Sequence, residues 1–337
     1  MTTKTIGNSL VGSKKILTVN NFNVTYKNKS RSVYAVKDVN FSINKGDSLG
    51  IAGESGSGKS TLAMAILRLL PDKTTEMSGR VYFLERNLLK LNDEEVRGLR
   101  WSEMAVVLQK SMNSLSPVHR IGTQVEDIYK VHKPDAEKKE IYDKFSHLLN
   151  LVNLSNRIYN LYPHEISGGM LQRVSIAISL IHNPKLLVLD EATTALDVVT
   201  QGQILDEILK MESEFDMTRI MITHDLSVVA TSCNKAAIMY AGELMEIGKT
   251  NNVLLEPMHP YTKDLLSSFP SLKGEKTVLK GIKGYLPDLS KTYDGCIYSF
   301  RCKYAKDVCF KYRPHMINFN NAQSVRCFLY EEGADLL

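Results

Sequence analysis

One nine-residue stretch, Gly53–Thr61 (GESGSGKST), constrains the fold of this chain more than any other feature. It matches G-x-x-x-x-G-K-[ST], a loop whose glycines let successive backbone N–H groups turn toward phosphate oxygens. The apolar run Leu49–Ala52 before it predicts a strand. Apolar residues at helical spacing after it predict a helix that stops at Pro71. Strand, loop and helix in this order predict an α/β fold with a phosphate at the start of the helix.

The side chains of this loop suit a nucleoside triphosphate. Lys59 is expected to reach the β- and γ-phosphates, and the Ser60 hydroxyl to bind Mg²⁺. A Gly/Ser-rich turn between a strand and a helix is the alternative, which the correct flanking pattern makes the weaker interpretation. The candidate phosphate-binding residues are Gly53, Glu54, Ser55, Gly56, Ser57, Gly58, Lys59, Ser60 and Thr61.

Two acids follow a second buried strand. Leu186–Leu189 is a continuous apolar run, as expected of a parallel strand covered on both faces. It ends in Asp190 and Glu191, at the sheet edge where ligands bind in open α/β folds. Beside a phosphate loop, Asp190 would hold Mg²⁺ through water, and Glu191 would orient and deprotonate an attacking water. The weaker alternative is that these acids cap the next helix.

Two other segments point to the same chemistry. The predicted strand Thr218–Thr223 delivers His224 to the same sheet edge, where it would face the γ-phosphate, although a lone histidine is more often structural. Ser167, Gly168 and Gly169 precede a predicted helix. They form either a second phosphate site or a simple helix cap, and local chemistry leaves both interpretations open.

Tyr26 and Gln109 are weaker candidates on their own. Tyr26 ends an alternating strand pattern and would stack on a base, but a tyrosine at a strand edge is normally a packing residue. Gln109 follows the apolar run Met104–Leu108, and a glutamine in that position is usually a surface residue. Neither residue predicts a function without further context.

Composition excludes several classes of protein. The 337 residues allow one large domain with an appendage, or two domains. A net charge of +5 is too small to argue for nucleic-acid binding. The chain has no run of roughly 18 apolar residues, and its first residues lack the apolar core of a secretory signal. We therefore expect a soluble chain whose membrane role, if any, requires a partner.

Four of the five cysteines crowd into the C-terminal part with the spacing C-x5-C-x6-C-x17-C. Five cysteines in a chain of this length do not predict a secreted disulfide scaffold. Four thiolates suit Zn²⁺ or an iron–sulfur cluster, and spacing does not decide between these sites and free thiols. The fifth, Cys233, is predicted to be a small buried hydrophobe in a helix. The four candidate ligands are Cys296, Cys302, Cys309 and Cys327.

The motifs occur together in one characteristic order. They are the phosphate loop, Gln109, ISGGMLQR (Ile166–Arg173), LLVLDE (Leu186–Glu191), ALD (Ala195–Asp197) and THD (Thr223–Asp225). With these motifs, residues 15–260 resemble the nucleotide-binding subunit of an ABC transporter. Four further motifs are similar to the ATPase subunits of oligopeptide and dipeptide importers, and extend the resemblance over nearly the whole chain: SMNSLSP (Ser111–Pro117), EATTALDVVTQ (Glu191–Gln201), MYAG (Met239–Gly242) and HPYTKDLL (His259–Leu266).

This resemblance implies a fold and a domain organisation. The fold would be a P-loop NTPase core of the ABC ATPase type, with a helical signature subdomain, an antiparallel β subdomain and a small cysteine-containing C-terminal extension. Residues 1–14 would be a disordered N-terminus, and 15–260 the ATPase domain, with the helical subdomain at about 110–182. Residues 261–337 would be the extension typical of peptide importers.

The resemblance also implies roles for the candidate residues. Tyr26 would stack on adenine, and the phosphate loop with Lys59 would hold the phosphates. Mg²⁺ would be bound by Ser60, Gln109 and Asp190. Glu191 would polarise the attacking water, and His224 would sense the γ-phosphate. The residues expected to meet a second ATPase subunit are Ser167, Gly168 and Gly169, which would contact the ATP held by that subunit, and Asp197, at the dimer seam.

The implied function is ATP hydrolysis that powers the uptake of oligopeptides or dipeptides. An ATPase of a related nickel or small-solute importer is the alternative. The implied cofactors are ATP, Mg²⁺ and a [4Fe–4S] cluster, with Zn²⁺ as the alternative in the cysteine site. The implied partners are a second ATPase subunit (identical or a paralogue), two membrane permease subunits and an extracytoplasmic peptide-binding protein, with no nucleic acid. The chain would be a peripheral protein on the cytoplasmic face of the cell membrane.

Overall fold

The computed structural model describes residues 14–28, 31–108, 115–192, 197–268, 281–319 and 322–331. Several predictions fall wholly or partly elsewhere. The predicted disordered segment 1–14 lies outside the described residues except for Lys14, and Gln109 and Ala195 also lie outside them. The motifs Ser111–Pro117 and Glu191–Gln201 lie partly outside them.

The described residues form twelve strands and ten α-helices. The strands are β1 Lys15–Asn28, β2 Arg31–Asn44, β3 Ser48–Ala52, β4 Thr75–Phe83, β5 Arg86–Asn87, β6 Met104–Val107, β7 Leu186–Asp190, β8 Thr218–Ile222, β9 Lys235–Tyr240, β10 Glu243–Lys249, β11 Met316–Asn318 and β12 Ser324–Arg326. The helices are α1 Lys59–Ile66, α2 Asp93–Leu99, α3 Ile121–Lys130, α4 Lys138–Leu151, α5 Gly168–Ser179, α6 Val198–Phe215, α7 Leu226–Ser232, α8 Thr250–Leu255, α9 Pro260–Ser267 and α10 Asp307–Lys311.

The central sheet has eight strands in the order β11-β12-β10-β9-β3-β8-β7-β6. Strands β9, β3, β8, β7 and β6 run parallel to one another, and β10, β12 and β11 add antiparallel pairs at one side. Every residue of β3, β7 and β8 is buried, since both faces of these strands are covered. The predicted strands that end at the loop, the acids and the histidine are thus confirmed within one residue.

A second, antiparallel sheet of four strands, in the order β2-β1-β4-β5, forms the predicted β subdomain. Its inner face packs with α1 on one side of the central sheet, and α3 to α6 cover the other side. The alternation in β7 shows this arrangement. Val188 packs toward α1 and the antiparallel sheet, whereas Leu187 and Leu189 pack toward the helices. Two apolar layers therefore enclose the central sheet.

The helical subdomain contains α3, α4 and α5. The sequence predicts an apolar face on the helix after Ser167, formed by Val174, Ala177, Ile178 and Ile181. All four are buried, the first three in α5 and Ile181 just after its end. The charges of Lys133–Lys144 predict one solvated helix face, and this prediction is wrong in its first part. A turn occupies 133–137, and α4 begins only at Lys138. Pro134 disfavours the helical conformation at Lys133, so a helix that begins at Lys133 is disfavoured.

Two other local predictions need correction. Helix α1 ends at Ile66, short of Pro71, because the backbone turns at Arg68, which has a φ of 54°. Cys233 does not lie in a helix: it follows α7 as its C-cap, with an extended backbone. Its predicted burial is confirmed, at 8% exposure. None of the helices in the described ranges combines the length and apolar composition that a bilayer-spanning segment needs.

The C-terminal segment is built onto the central sheet. Strand β12 pairs with β10, with Val325 opposite Glu246, and β11 completes the edge. Val325 is fully buried, and Val308 and Phe328 pack together beside it in a small cluster of their own. The C-terminal segment therefore shares the central sheet with the rest of the described chain.

Candidate active site

The phosphate loop connects β3 to α1, and two of its glycines have no substitute. Gly53 has a φ of 150° and Gly58 a φ of 96°. A Cβ atom on Gly58 would lie 2.3 Å from the carbonyl oxygen of Ala35, and one on Gly53 would lie 2.1 Å from that of Met239. The loop is thus pressed between β2 and the end of β9, and only glycine fits there.

Lys59, the first residue of α1, is 5% exposed and lies under the loop. Its ammonium group donates to the carbonyl oxygens of Gly53 and Glu54, both at 2.8 Å, and to the Ser57 hydroxyl at 3.3 Å. Burial lowers the pKa of Lys59, although the carboxylates of Glu191, Asp190 and Glu54 oppose this shift. A cation is therefore fixed at the point where the loop curls.

Ser60 joins the loop to the end of β7. Its hydroxyl donates to Oδ1 of Asp190 at 2.8 Å. Burial raises the pKa of Asp190, and the charge of Glu191 adds to this effect, whereas the Ser60 hydrogen bond and Lys59 oppose it. Hydroxyl and carboxylate oxygens are the ligands that Mg²⁺ prefers, so these two residues fit the predicted metal.

Glu191 and His224 lie at the same sheet edge, as the sequence predicted. The Glu191 N–H donates to the carbonyl oxygen of Ile222 at 2.9 Å, which ties the end of β7 to the end of β8. Glu191 has a φ of 47°, and its Oε1 lies 3.6 Å from Nδ1 of His224. The Glu191 side chain is 20% exposed and that of His224 is 59% exposed. Both groups are accessible from the solvent side of the loop.

Tyr26 is half-buried near the end of β1, beside α1. Its hydroxyl donates to Oγ1 of Thr61 at 3.2 Å. The ring is therefore held next to the last residue of the phosphate loop, which is compatible with the predicted contact to a base.

Ser167 begins α5, as the sequence predicted. Its Oγ accepts from the N–H of Met170 at 3.3 Å, so the capping interpretation is correct at least in part. Ser167 and Gly168 are exposed and Gly169 is half-buried. The N-terminus of this twelve-residue helix therefore faces solvent.

Asp197 is the N-cap residue of α6, as Ser167 is of α5. Its carboxylate accepts from the N–H and the hydroxyl of Thr200, at 3.0 and 2.7 Å. The hydrogen bond from the Thr200 hydroxyl, with those from the backbone, lowers the pKa of Asp197. A capping role therefore explains this side chain, which is exposed and remains open to a partner.

The four C-terminal cysteines line one small cavity together with His259. These four cysteines are Cys296, Cys302, Cys309 and Cys327. None of them forms a disulfide. Burial raises the pKa of Cys296 to about 12 and that of Cys327 to about 11, and neighbouring cysteines add to both shifts. Within the described ranges, no three His, Cys, Asp or Glu side chains are arranged to hold a single metal ion.

The sequence missed one contact of the loop. The guanidinium group of Arg301 donates to both carboxylate oxygens of Glu54, at 3.0 and 3.1 Å. The hydroxyl of Tyr261 accepts from the N–H of Glu54 at 2.9 Å. Tyr261 belongs to the HPYTKDLL motif, which is a sequence signal, whereas no local sequence pattern identifies Arg301 as a contact of the phosphate loop.

Two family models match this chain. The model for the ABC transporter matches residues 36–194. The model for the oligopeptide/dipeptide transporter C-terminal region matches residues 245–309. The second match covers α9 and most of the cysteine segment.

Several curated relatives span nearly the same length. The oligopeptide transport ATP-binding protein AppD of Bacillus subtilis is 38% identical over 95% of this chain and 98% of its own. OppD of Salmonella typhimurium, with the same description, is 39% identical over 93% of each chain. The dipeptide transport ATP-binding protein DppD of Bacillus subtilis is 37% identical, over 96% of this chain and 97% of its own.

Solved structures give the same result for the core. A dimeric post-hydrolysis structure of the ATP-binding cassette MJ0796, bound to ADP and Pi, has a TM-score of 0.62 and 29% identity. The match covers 69% of this chain and 98% of the MJ0796 chain. CbiO1 of Clostridium perfringens, part of an ABC transporter complex, also has a TM-score of 0.62, with 28% identity, and covers 72% of this chain and 92% of its own. By fold, motifs and full-length similarity, this chain belongs to the ATP-binding proteins of the ABC transporter family, in the oligopeptide and dipeptide transport group.

Proposed function

We propose that this chain hydrolyses ATP to ADP and phosphate and so powers the uptake of oligopeptides or dipeptides through a membrane transporter. One observation carries the proposal: Lys59, Ser60, Asp190 and Glu191 converge at the carboxyl edge of the central sheet, around the phosphate loop. The full-length relatives support the peptide substrate, because they are named as oligopeptide and dipeptide transport ATP-binding proteins.

Different residues of the site bind different parts of ATP. The N–H groups of the phosphate loop and Lys59 hold the β- and γ-phosphates. Ser60 and Asp190, with Gln109, hold Mg²⁺, which when bound neutralises charge on the phosphates. Tyr26 stacks on the adenine. ATP binding thus involves residues at both ends of the phosphate loop.

Glu191 and His224 act on the reacting end. The carboxylate of Glu191 accepts a proton from the attacking water and holds that water in line with the γ-phosphate. His224 contacts the γ-phosphate from the neighbouring strand end. The hydrogen bond between the Glu191 N–H and Ile222 supports this role, because it fixes the acid relative to the end of β8, which His224 follows.

A second ATPase subunit, a copy or a paralogue, completes each site. Ser167, Gly168 and Gly169 contact the ATP bound by that subunit, and Asp197 lies at the seam. The exposed N-terminus of α5 supports this assignment, because the start of a helix attracts phosphate. Two permease subunits and an extracytoplasmic peptide-binding protein complete the transporter, with this chain on the cytoplasmic face of the membrane.

The cysteine cavity holds a [4Fe–4S] cluster, with Zn²⁺ as the alternative. Four thiolates are the usual ligand set of such a cluster. The proposal is supported by the four thiols lining one cavity, where they could act as a common ligand set. Burial raises the pKa of Cys296, Cys302 and Cys327, and a bound cation would oppose this shift.

Proteoliposomes that contain the assembled transporter test the function. With the binding protein present, labelled dipeptides and longer peptides should enter only when ATP is supplied, and peptide should stimulate ATP hydrolysis. A Lys59→Ala subunit should abolish both. Stimulation by Ni²⁺ but not by peptides would support the nickel importer instead. Hydrolysis without the uptake of either solute would contradict the transport assignment.

A further inference from the structure

Glu54, the second residue of the phosphate loop, is held from several directions. Its N–H donates to the hydroxyl of Tyr261 on α9 at 2.9 Å. Its carbonyl oxygen accepts from Lys59 Nζ at 2.8 Å and from the N–H of Ser57 at 3.2 Å. Its carboxylate accepts from Arg301 at 3.0 and 3.1 Å. Two of these partners lie outside the loop, more than two hundred residues away in sequence.

Arg301 is itself rigidly held. Its side chain is 5% exposed. The Nε atom donates to the carbonyl oxygen of Lys283 at 2.8 Å, and Nη2 donates to that of Ile282 at 3.2 Å. The Nη1 atom also donates to the hydroxyl of Tyr240 at 3.3 Å, and the guanidinium carbon lies 5.6 Å from the centre of that ring. Every nitrogen of the guanidinium group therefore has an acceptor, so its position is fixed by the extension.

The contact differs from an ordinary surface ion pair. Exposed pairs contribute little because water screens them and both side chains lose freedom. Here the guanidinium is buried and held before it meets the carboxylate, so the charge-assisted hydrogen bonds to Glu54 are strong and directional. The carbonyl oxygen of the same residue accepts from Lys59, so the position of Glu54 is coupled to the ammonium that binds phosphate.

We propose that Arg301 is a positioning residue for the phosphate loop, and that the C-terminal extension is thereby part of the ATP-binding machinery. Arg301 fixes the carboxylate of Glu54 and, through the backbone of that residue, the curl of the loop and the position of Lys59. The inference rests on ATP as the nucleotide of the proposed function. Arg301 touches no atom that reacts, so it acts on binding and leaves the chemical step to Glu191 and His224.

Arg301→Gln in the full-length chain is the first test. It removes the charge and breaks the hydrogen bonds to Glu54. The Kd of MgATP for the subunit, and the KM for ATP of the assembled transporter, should rise about tenfold, which corresponds to about 1.4 kcal/mol. The kcat should stay within about twofold, because the residues that act on water are untouched. Arg301→Lys should recover part of the affinity, since it restores the charge without the planar fork.

Arg313→Gln is the matched control. Arg313 also belongs to the extension and pairs with Glu243 at 2.9 Å and Asp38 at 3.3 Å, neither of which is a residue of the phosphate loop. Its loss should leave the KM for ATP within about twofold. If Arg313→Gln raises the KM as much as Arg301→Gln, the effect is general damage to the extension, and the proposal fails.

Glu54→Gln tests the same contact from the loop side, with the extension intact. It should raise the Kd for MgATP as Arg301→Gln does, and the double variant should be no worse than either single variant. Additive effects, or an unchanged Kd in Arg301→Gln beside normal binding by wild type, would overturn the inference. Failure of the wild-type chain to bind ATP would instead contradict the proposed function.

Discussion

Glu191→Gln is the most informative change in the proposed active site. Glutamine keeps the length and shape of the side chain, and the backbone N–H still bonds to Ile222. Both residues are unbranched at Cβ, so they tolerate the φ of 47° equally well. The Ser60–Asp190 pair at 2.8 Å is not touched. The substitution therefore removes one negative charge and one proton acceptor, and little else.

The size of the effect follows from this geometry. Stability should change by less than about 0.5 kcal/mol, since the side chain is on the site surface and fills no core volume. A positioned general base contributes about 10²–10⁴-fold to the rate. The loss of Glu191 should therefore lower kcat by this factor, or about 3–5 kcal/mol of transition-state stabilisation. The affinity for MgATP should stay within about threefold, because the groups proposed to hold the phosphates and metal remain.

Three measurements on the same preparations check this. They are phosphate release by the assembled transporter, MgATP binding by the isolated subunit, and size-exclusion chromatography with ATP, which should reveal a trapped dimer. Glu214→Gln is the matched control. Glu214 also pairs with a histidine, His147, at 2.9 Å, but on the exposed face of α6. Its loss should leave all three readouts unchanged.

A single result would refute the assignment of the base. If Glu191→Gln retains a kcat within about threefold of wild type, another group accepts the proton, and Glu191 is not the general base. A variant that loses MgATP binding along with turnover would show instead that the carboxylate supports the metal site, which would move its role from proton transfer to binding.

Three further predictions concern other parts of the chain. Ser167→Arg should suppress hydrolysis by the dimer but leave MgATP binding by the isolated subunit within about twofold, since the proposed contact is to the partner's phosphates. Anaerobically purified protein should be brown, with about four iron atoms per chain. Replacing any one of the four C-terminal cysteines by serine should remove most of this iron. Stoichiometric zinc without iron would show a zinc site instead of the cluster, and the absence of both metals would show that the cysteines are free thiols. Burial lowers the pKa of His182 to about 4, below its unfolded value, so the unfolded chain takes up the extra proton and stability falls as the pH drops from about 6.5 to about 4. Between pH 7 and 5 the contribution of His182 to this loss in urea unfolding should be about 1–2 kcal/mol, allowing for partial exposure, and His182→Phe should remove that contribution, whereas His164→Phe, at an exposed histidine stacked on Tyr162, should not change the loss. The buried His259, whose pKa is lowered to about 3, accounts for a separate loss that remains in both variants.

The predictions that held from sequence are those encoded in short, contiguous segments. The phosphate loop needs positive φ at Gly58, and the strand before it and the helix after it are set by runs of only a few residues. The runs at Leu186 and Thr218 read as strands because both faces are buried. Once these strands are parallel, connectivity alone brings Asp190, Glu191 and His224 to one edge.

Predictions made from charge pattern alone were less reliable. The charges from Lys133 onward predict a helix there, but α4 begins only at Lys138. The prediction that Cys233 lies in a helix rests on local composition and is also wrong, because α7 ends one residue earlier. A run of charged or small residues specifies exposure or burial, and the exact ends of helices depend on backbone conformation.

The sequence by itself thus determined the loop, the acids and the set of four cysteines, because each is a local pattern of residue types. Only the tertiary structure decided that the cysteines line one cavity and that β12 extends the central sheet beside β10. It alone brought Arg301 onto Glu54, across 247 residues of chain. Such a contact leaves no periodicity or spacing in the sequence, because it arises where two separately folded segments pack against each other and bury complementary charges.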